Sequence, residues 1–242
     1  MIAVNGVMKP VNTQIKKLQT KARALYKKER YQEALAIAKQ VLALNKHDDE
    51  ALFQVAHGLY QAGQFQRSLQ YWKRLQKICP NEPSLHLNMG ACYEGLGNNQ
   101  MAIRNYKKEL AFNPISGTAL HNLGDVYFFA HKYKFAAGYL ERCHSQKGLP
   151  DACIGKLAHS YFKTGQLEKE QVLYEGFLQT NPNDTWALNN LGSHLMGQGS
   201  YARALLRLKK AARIDPADKL VAKNIRKAER LLKQQHSAAK SI

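Results

Sequence analysis

A small residue, Gly or Ala, stands every 34 positions along most of this chain: Ala22, Ala56, Gly90, Gly124, Ala158 and Gly192. A fixed period of this length marks stacked helix pairs, each burying its apolar face only against its neighbours. Two further columns keep the step, Leu25, Leu59, Tyr93, Tyr127, Tyr161 and Leu195, and then Ala34, Ser68, Ala102, Ala136, Glu170 and Ala204. Pro80, Pro114, Pro182 and Pro216 recur at the repeat ends. Small residues let two helices approach, the larger apolar ones fill the space between them, and proline stops the second helix. Such arrays are built for binding, and the columns do not name a partner.

The repeats fall at 15–48, 49–82, 83–116, 117–150, 151–184 and 185–218, without insertion or deletion. The second carries ALFQVAHGLYQAGQFQRSLQYWKRLQKICP and the third LHLNMGACYEGLGNNQMAIRNYKKELAFNP. Their small–aromatic–glycine–aromatic–small–aromatic–proline order resembles the tetratricopeptide repeat (TPR) family, over about 204 of 242 residues. The resemblance implies an all-α, right-handed superhelical solenoid of antiparallel helix pairs. A related 35-residue RNA-binding repeat class is disfavoured, because the phase never slips.

Outside the repeats, Met1–Gln14 carries Pro10 and few helix signals and is expected to be a flexible lead-in. Residues 219–242 are expected to form a basic capping helix and tail. Leu220, Val221, Asn224, Ile225, Ala228, Leu231 and Leu232 share one helical face, covering the last repeat as terminal interfaces require. Within the repeats no internal boundary is expected. Neither a secretory signal nor an apolar stretch of membrane-spanning length is read here, so the expected compartment is the cytoplasm. Cys79, Cys92, Cys143 and Cys153 form no CxxC pair and no metal spacing with histidine. They are read as reduced, buried thiols, with Cys143 and Cys153 potential neighbours across a repeat junction, and no cofactor or metal is expected.

The net charge of +18 is unevenly spread. Residues 1–48 hold ten Lys/Arg against three acids, 49–184 fourteen against twelve, and 185–242 twelve against three. The positive charge therefore sits at the two ends. It reads either as solubilising caps or as basic docking ends for an acidic partner or an anionic membrane, through Lys16, Lys17, Arg23, Lys27 and Lys28 and through Arg226, Lys227, Arg230 and Lys233. A nucleic-acid groove would run basic residues along the whole inner face, so nucleic acid is disfavoured.

In the family the first helix of each repeat lines the concave, ligand-bearing surface. Carried over by position, one column reads Thr20, Gln54, Asn88, Asn122, Lys156, Asn190 and Asn224. Repeated amides of this kind can pair with the backbone of an extended peptide, or simply satisfy local polar groups. Around them the groove holds Phe53, His57, Tyr60, Asp125, Phe128, Phe129, His159, Phe162, Trp186 and Met196, with Glu94 adding acid at its centre. Some of these aromatics belong to the core, including whichever of Phe128 and Phe129 turns inward. Others suit the anchoring of a partner's side chains. The lysine–asparagine clamp by which one TPR subclass grips chaperone C-termini is not supplied by any three consecutive repeats.

His121 and Asp125 lie one helical turn apart, but no further ligands converge on them, and no P-loop, HExxH or GxSxG is present. A non-enzyme is expected. Two departures stand out: Lys21 in an apolar column, and the junction of repeats four and five, where Lys147-Gly148-Leu149-Pro150 replaces the proline ending and Glu170 takes a small residue's place. That junction is read as local repacking or as a hinge. The expected role is a scaffold or adaptor holding an extended or helical segment of another protein. Alternatives are a chaperone-like assembly factor for a secretion, pilus or flagellar machine, RNA or membrane binding through the basic ends, and self-association.

Overall fold

The computed structural model describes residues 4–145 and 152–239. Among them are thirteen helices and no strand. They run as α1 (Val4–Lys27), α2 (Tyr31–Leu44), α3 (Asp49–Gln61), α4 (Phe65–Ile78), α5 (Leu85–Gly95), α6 (Asn99–Phe112), α7 (Gly117–Phe129), α8 (Tyr133–His144), α9 (Ala152–Lys163), α10 (Leu167–Thr180), α11 (Thr185–Gly197), α12 (Tyr201–Ile214) and α13 (Lys219–Ala239). Each 34-residue repeat thus holds one helix pair, and α13 follows the last.

Helices α3, α6 and α11 start on a capping side chain. The Asp48 carboxylate accepts from the Ala51 amide at 2.9 Å, and Asp184 accepts from Ala187 at 2.7 Å. Within each pair the chain reverses through a left-handed residue, and these residues also keep the 34-residue step: Glu29, Gly63, Gly97, His131, Gly165 and Gly199. Glycine adopts this backbone freely, whereas Glu29 at φ 58 and His131 at φ 56 do so at a cost. The small-residue column behaves as its spacing predicts. A methyl group at Gly90 would run into the Tyr106 ring, and one at Gly192 would lie 2.6 Å from Leu208 Cγ.

Two expectations are corrected. Residues 4–14 are helical, not a flexible lead-in. Val11, upstream of the first repeat, keeps a helical apolar spacing with Ile15, Leu18 and Ala22 inside it, and the helix runs through Pro10 at the cost of one backbone hydrogen bond. The chain also divides into two compact units, Met1–Val126 and Tyr127–Ile242, with the division inside α7. Contacts between helices adjacent in sequence dominate each unit, as local packing in a repeat array requires.

In the first unit the core runs from Leu35 to Cys92 around the fully buried Trp72. In the second, Val221 and Ala228 of α13 are buried, and Val221 packs with Leu188 and Ala211. Asn224 fastens the same helix by donating to Asn189 Oδ1 at 2.8 Å and Ser193 Oγ at 3.3 Å. All four cysteines are free thiols, and Cys143 and Cys153 are neighbours, with Sγ atoms 3.3 Å apart. The segment Lys147–Pro150, read above as a hinge or repacked junction, lies outside the described residues.

Candidate functional site

The first unit closes its aromatic positions upon themselves. Tyr26 lies in the last turn of α1, Tyr31 begins α2, and His57 of α3 meets both rings edge-on at centroid distances of 5.2 and 4.9 Å. Phe53, one turn before His57, stacks on the imidazole and meets Trp72 edge-on at 5.1 Å. Phe53 and Tyr60 both pack against the buried core. Burial pushes the Tyr26 phenol up to about 12, the neighbouring Tyr31 adding to it, and burial lowers the His57 imidazole below its ordinary 6.5.

The amides expected to line a groove here are largely committed. Gln54 is only 4% exposed and donates to Glu50 Oε1, which is itself held by Arg23. Asn122 bonds to the hydroxyl of Tyr106, and that hydroxyl donates to Glu94 Oε2 at 2.6 Å. Burial, then Glu94, holds the Tyr106 phenol far above its usual range. Asn88 is half-buried. His121 and Asp125 pair at 3.5 Å, as their spacing predicts.

The second unit is open. A groove of about 410 Å³ is lined by Phe128, Gly155, Lys156, His159, Phe162, Glu170, Tyr174, Trp186 and Asn190. Six of these are residues the sequence places on the inner face. Of the two adjacent phenylalanines Phe128 turns inward, edge-on to Tyr133 and His159, while Phe129 stays 68% exposed. The Lys156 ammonium lies over the Phe129 ring, 5.3 Å from its centroid. Phe162 and Trp186 are 56% and 45% exposed, large apolar surfaces left to solvent. The Asn190 amide donates to the Trp186 carbonyl one turn earlier.

Met196 does not belong to this surface, because it is 8% exposed and packed inside. Asn224 does not either, since its amide anchors α13. The basic residues Lys16, Lys17, Lys27, Lys28, Arg226, Lys227, Arg230 and Lys233 are all exposed, whereas Arg23 pairs with Glu50 at 2.6 Å.

Three groove residues were not singled out as groove positions in the sequence. Gly155 stands where Phe53 stands three repeats earlier, and a Cβ there would lie 3.2 Å from Trp186 Cζ2. Trp186 therefore rests against α9 and meets Tyr174 edge-on at 5.8 Å. Glu170 is buried, with Oε2 3.0 Å from Nδ1 of the buried His194. Burial, and then the charge of Glu170, keeps the Tyr174 phenol well above its usual range. The signal for the pair was available: Glu170 and His194 each break a column of small residues, and the two columns are 24 positions apart.

Known proteins share this architecture. A family model described as anaphase-promoting complex, cyclosome, subunit 3 matches residues 27–109. The general transcriptional corepressor trfA of Dictyostelium discoideum is 27% identical over 130 residues, 53% of this chain and 9% of that protein. The DnaJ homolog subfamily C member 7 homolog of Schizosaccharomyces pombe is 24% identical over 211 residues, 85% of this chain and 40% of that protein. The chain thus spans less than half the length of these curated relatives. The crystal structure of YrrB, described as a TPR protein with an unusual peptide-binding site, matches with TM-score 0.64 at 19% identity, covering 76% of this chain and 95% of that one. Among the described residues no helix is long and apolar enough to cross a membrane. By its repeat, its helix pairing and these likenesses, the chain has the fold of tetratricopeptide-repeat proteins.

Proposed function

We propose that this chain is a non-catalytic scaffold that holds a segment of a partner protein in the groove of its second unit. The observation that carries the reading is the exposure of Phe162 and Trp186 beside Lys156, Asn190 and Glu170 in one groove. Exposed aromatic rings next to a few fixed polar groups anchor side chains of a bound chain, the apolar area supplying affinity and the polar groups orientation. The peptide-binding site of YrrB, a protein of this fold, supports the same use of it.

A photo-crosslinking residue placed at Phe162 tests it, with one at the exposed Leu206 of α12 as control. The proposal expects a discrete adduct from position 162 and none from 206. Equal labelling from both positions would overturn it. The exposed basic residues of α1 and α13 favour a second reading, an anionic surface docked at the ends. Salt separates the two: groove binding changes little with ionic strength, whereas binding through the ends weakens steeply.

A further inference from the structure

Six equivalent positions, 24 residues apart, pair the second helix of a repeat with the helix that follows it. Five hold small or apolar side chains: Ala34/Gly58, Ser68/Cys92, Ala102/Val126, Ala136/Ser160 and Ala204/Ala228. All ten are buried. The Ser68/Cys92 pair is in direct contact, Sγ to Oγ 3.3 Å. The sixth pair is Glu170/His194, with side chains 8% and 2% exposed. Burying a carboxylate and an imidazole costs more than burying the small residues that fill this position elsewhere. The costly pair occurs at the one equivalent position that lines the open groove.

Glu170 lines that groove. His194 holds its Oε2, and Oε1 has no hydrogen-bond partner among the described residues. Beside the carboxylate stand the rings of Tyr174 and Trp186, with Phe128 and Phe162 further along the same groove. The groove's own cation, Lys156, is turned onto the Phe129 ring. A carboxylate oxygen among aromatic faces attracts a cation twice, through charge-assisted hydrogen bonding and through the ring quadrupoles. A guanidinium suits it better than an ammonium, being planar, forked and able to stack on a ring.

We infer that the groove receives an arginine side chain of the partner's segment, its guanidinium donating to Glu170 Oε1 beside Tyr174 and Trp186 while His194 fixes the carboxylate. The assignment of the arginine to a partner segment rests on the proposed function; the cation site itself is tested without any partner.

The test titrates the 15N-labelled full chain with N-acetylarginine amide and, in parallel, with N-acetylcitrulline amide, its neutral isostere. The arginine compound is expected to shift the backbone amides of Gly155 and Asn190 and the indole N–H of Trp186, with millimolar affinity. Citrulline should bind at least about tenfold more weakly, the loss expected for a charged hydrogen bond. Glu170→Gln keeps a carbonyl to accept from His194 while removing the charge, and should abolish the preference for arginine. Equal responses to the two compounds, an unchanged preference in Glu170→Gln, or no shift at these three positions would each overturn the inference. Should Glu170→Gln fail to fold, Trp186→Ala, which removes an exposed wall, must weaken the arginine response at Gly155 and Asn190 about fivefold; an unchanged affinity overturns the inference by that route. An arginine response together with failed crosslinking at position 162 would leave the cation site standing and overturn only its assignment to a partner protein.

Discussion

The aromatic cluster around His57 and the groove around His159 are built from the same columns, three repeats apart. Tyr26, Tyr31 and His57 correspond to Phe128, Tyr133 and His159, and in both sets the imidazole meets both rings edge-on. The left-handed residue between the rings is Glu29 in one and His131 in the other, the two places where the turn column is not glycine. Among the positions that differ, 53 and 155 are the pair beside the imidazole. Phe53 fills the space beside His57 and stacks on it, whereas Gly155 leaves the equivalent space beside His159 empty of its own side chain. Trp186, from the following repeat, covers part of that space, and the rest is the groove. The groove therefore combines a missing side chain at position 155 with Trp186 and Glu170, where the first unit has Ser84 and Ser68.

Exchanging the two residues is the strongest way to break this comparison. Phe53→Ala removes a ring packed on Trp72 and should destabilise the chain by about 3 kcal/mol, below the top of the range for large core deletions because Phe53 is only partly buried. Chemical denaturation reads this directly, and a change under ~1 kcal/mol would show that Phe53 is not part of the core. Gly155→Phe should cost about 2 kcal/mol through overpacking against Trp186. It should also close the groove, visible as burial of the Trp186 indole from an aqueous fluorescence quencher.

The turn residues give a smaller effect of opposite sign. Glu29→Gly and His131→Gly each relieve a left-handed non-glycine backbone and should raise stability by about 1 kcal/mol, less the entropy that glycine adds to the unfolded chain. Gly97→Ala should lose about as much. Melting temperatures moving the other way would mean that side-chain contacts at Glu29 and His131 outweigh the backbone cost.

The smallest effect is in pH. Burial lowers the His57 imidazole below 6.5, so the unfolded chain takes up its proton first as pH falls. Stability from this group is complete above pH 6.5 and declines as pH drops through 6.5 towards the lower folded value, below which the penalty stays constant. His57→Gln should flatten that decline in a series of thermal melts, and an unaltered slope would assign the decline to other groups.

Much of this architecture was legible in the sequence because it is periodic. The columns at Ala22 and Leu25, and the repeat-end prolines, placed every helix pair, since close packing leaves few residue types that fit. The upstream part of α1 was not legible because Pro10 and the scarcity of helix signals before the first repeat read as a lead-in, whereas the helix of the first repeat extends back through it. The groove was half legible. Position within a repeat identified Phe128, Lys156, His159, Phe162, Trp186 and Asn190. Position could not show that Gln54, Asn122 and Asn224 spend their amides on Glu50, Tyr106 and Asn189, because those bonds depend on neighbouring side chains outside the column. The absence of a side chain at Gly155 was likewise informative only beside the bulk of Trp186, which lies 31 residues further along the chain.

The most direct test of the central claim is the affinity of the segment crosslinked at position 162 for the wild-type chain and for Gly155→Phe. The account predicts that a folded Gly155→Phe protein loses the segment, because a ring then occupies the space that Phe53 fills in the first unit. Undiminished affinity in that variant would contradict it and place the partner's contact outside the groove.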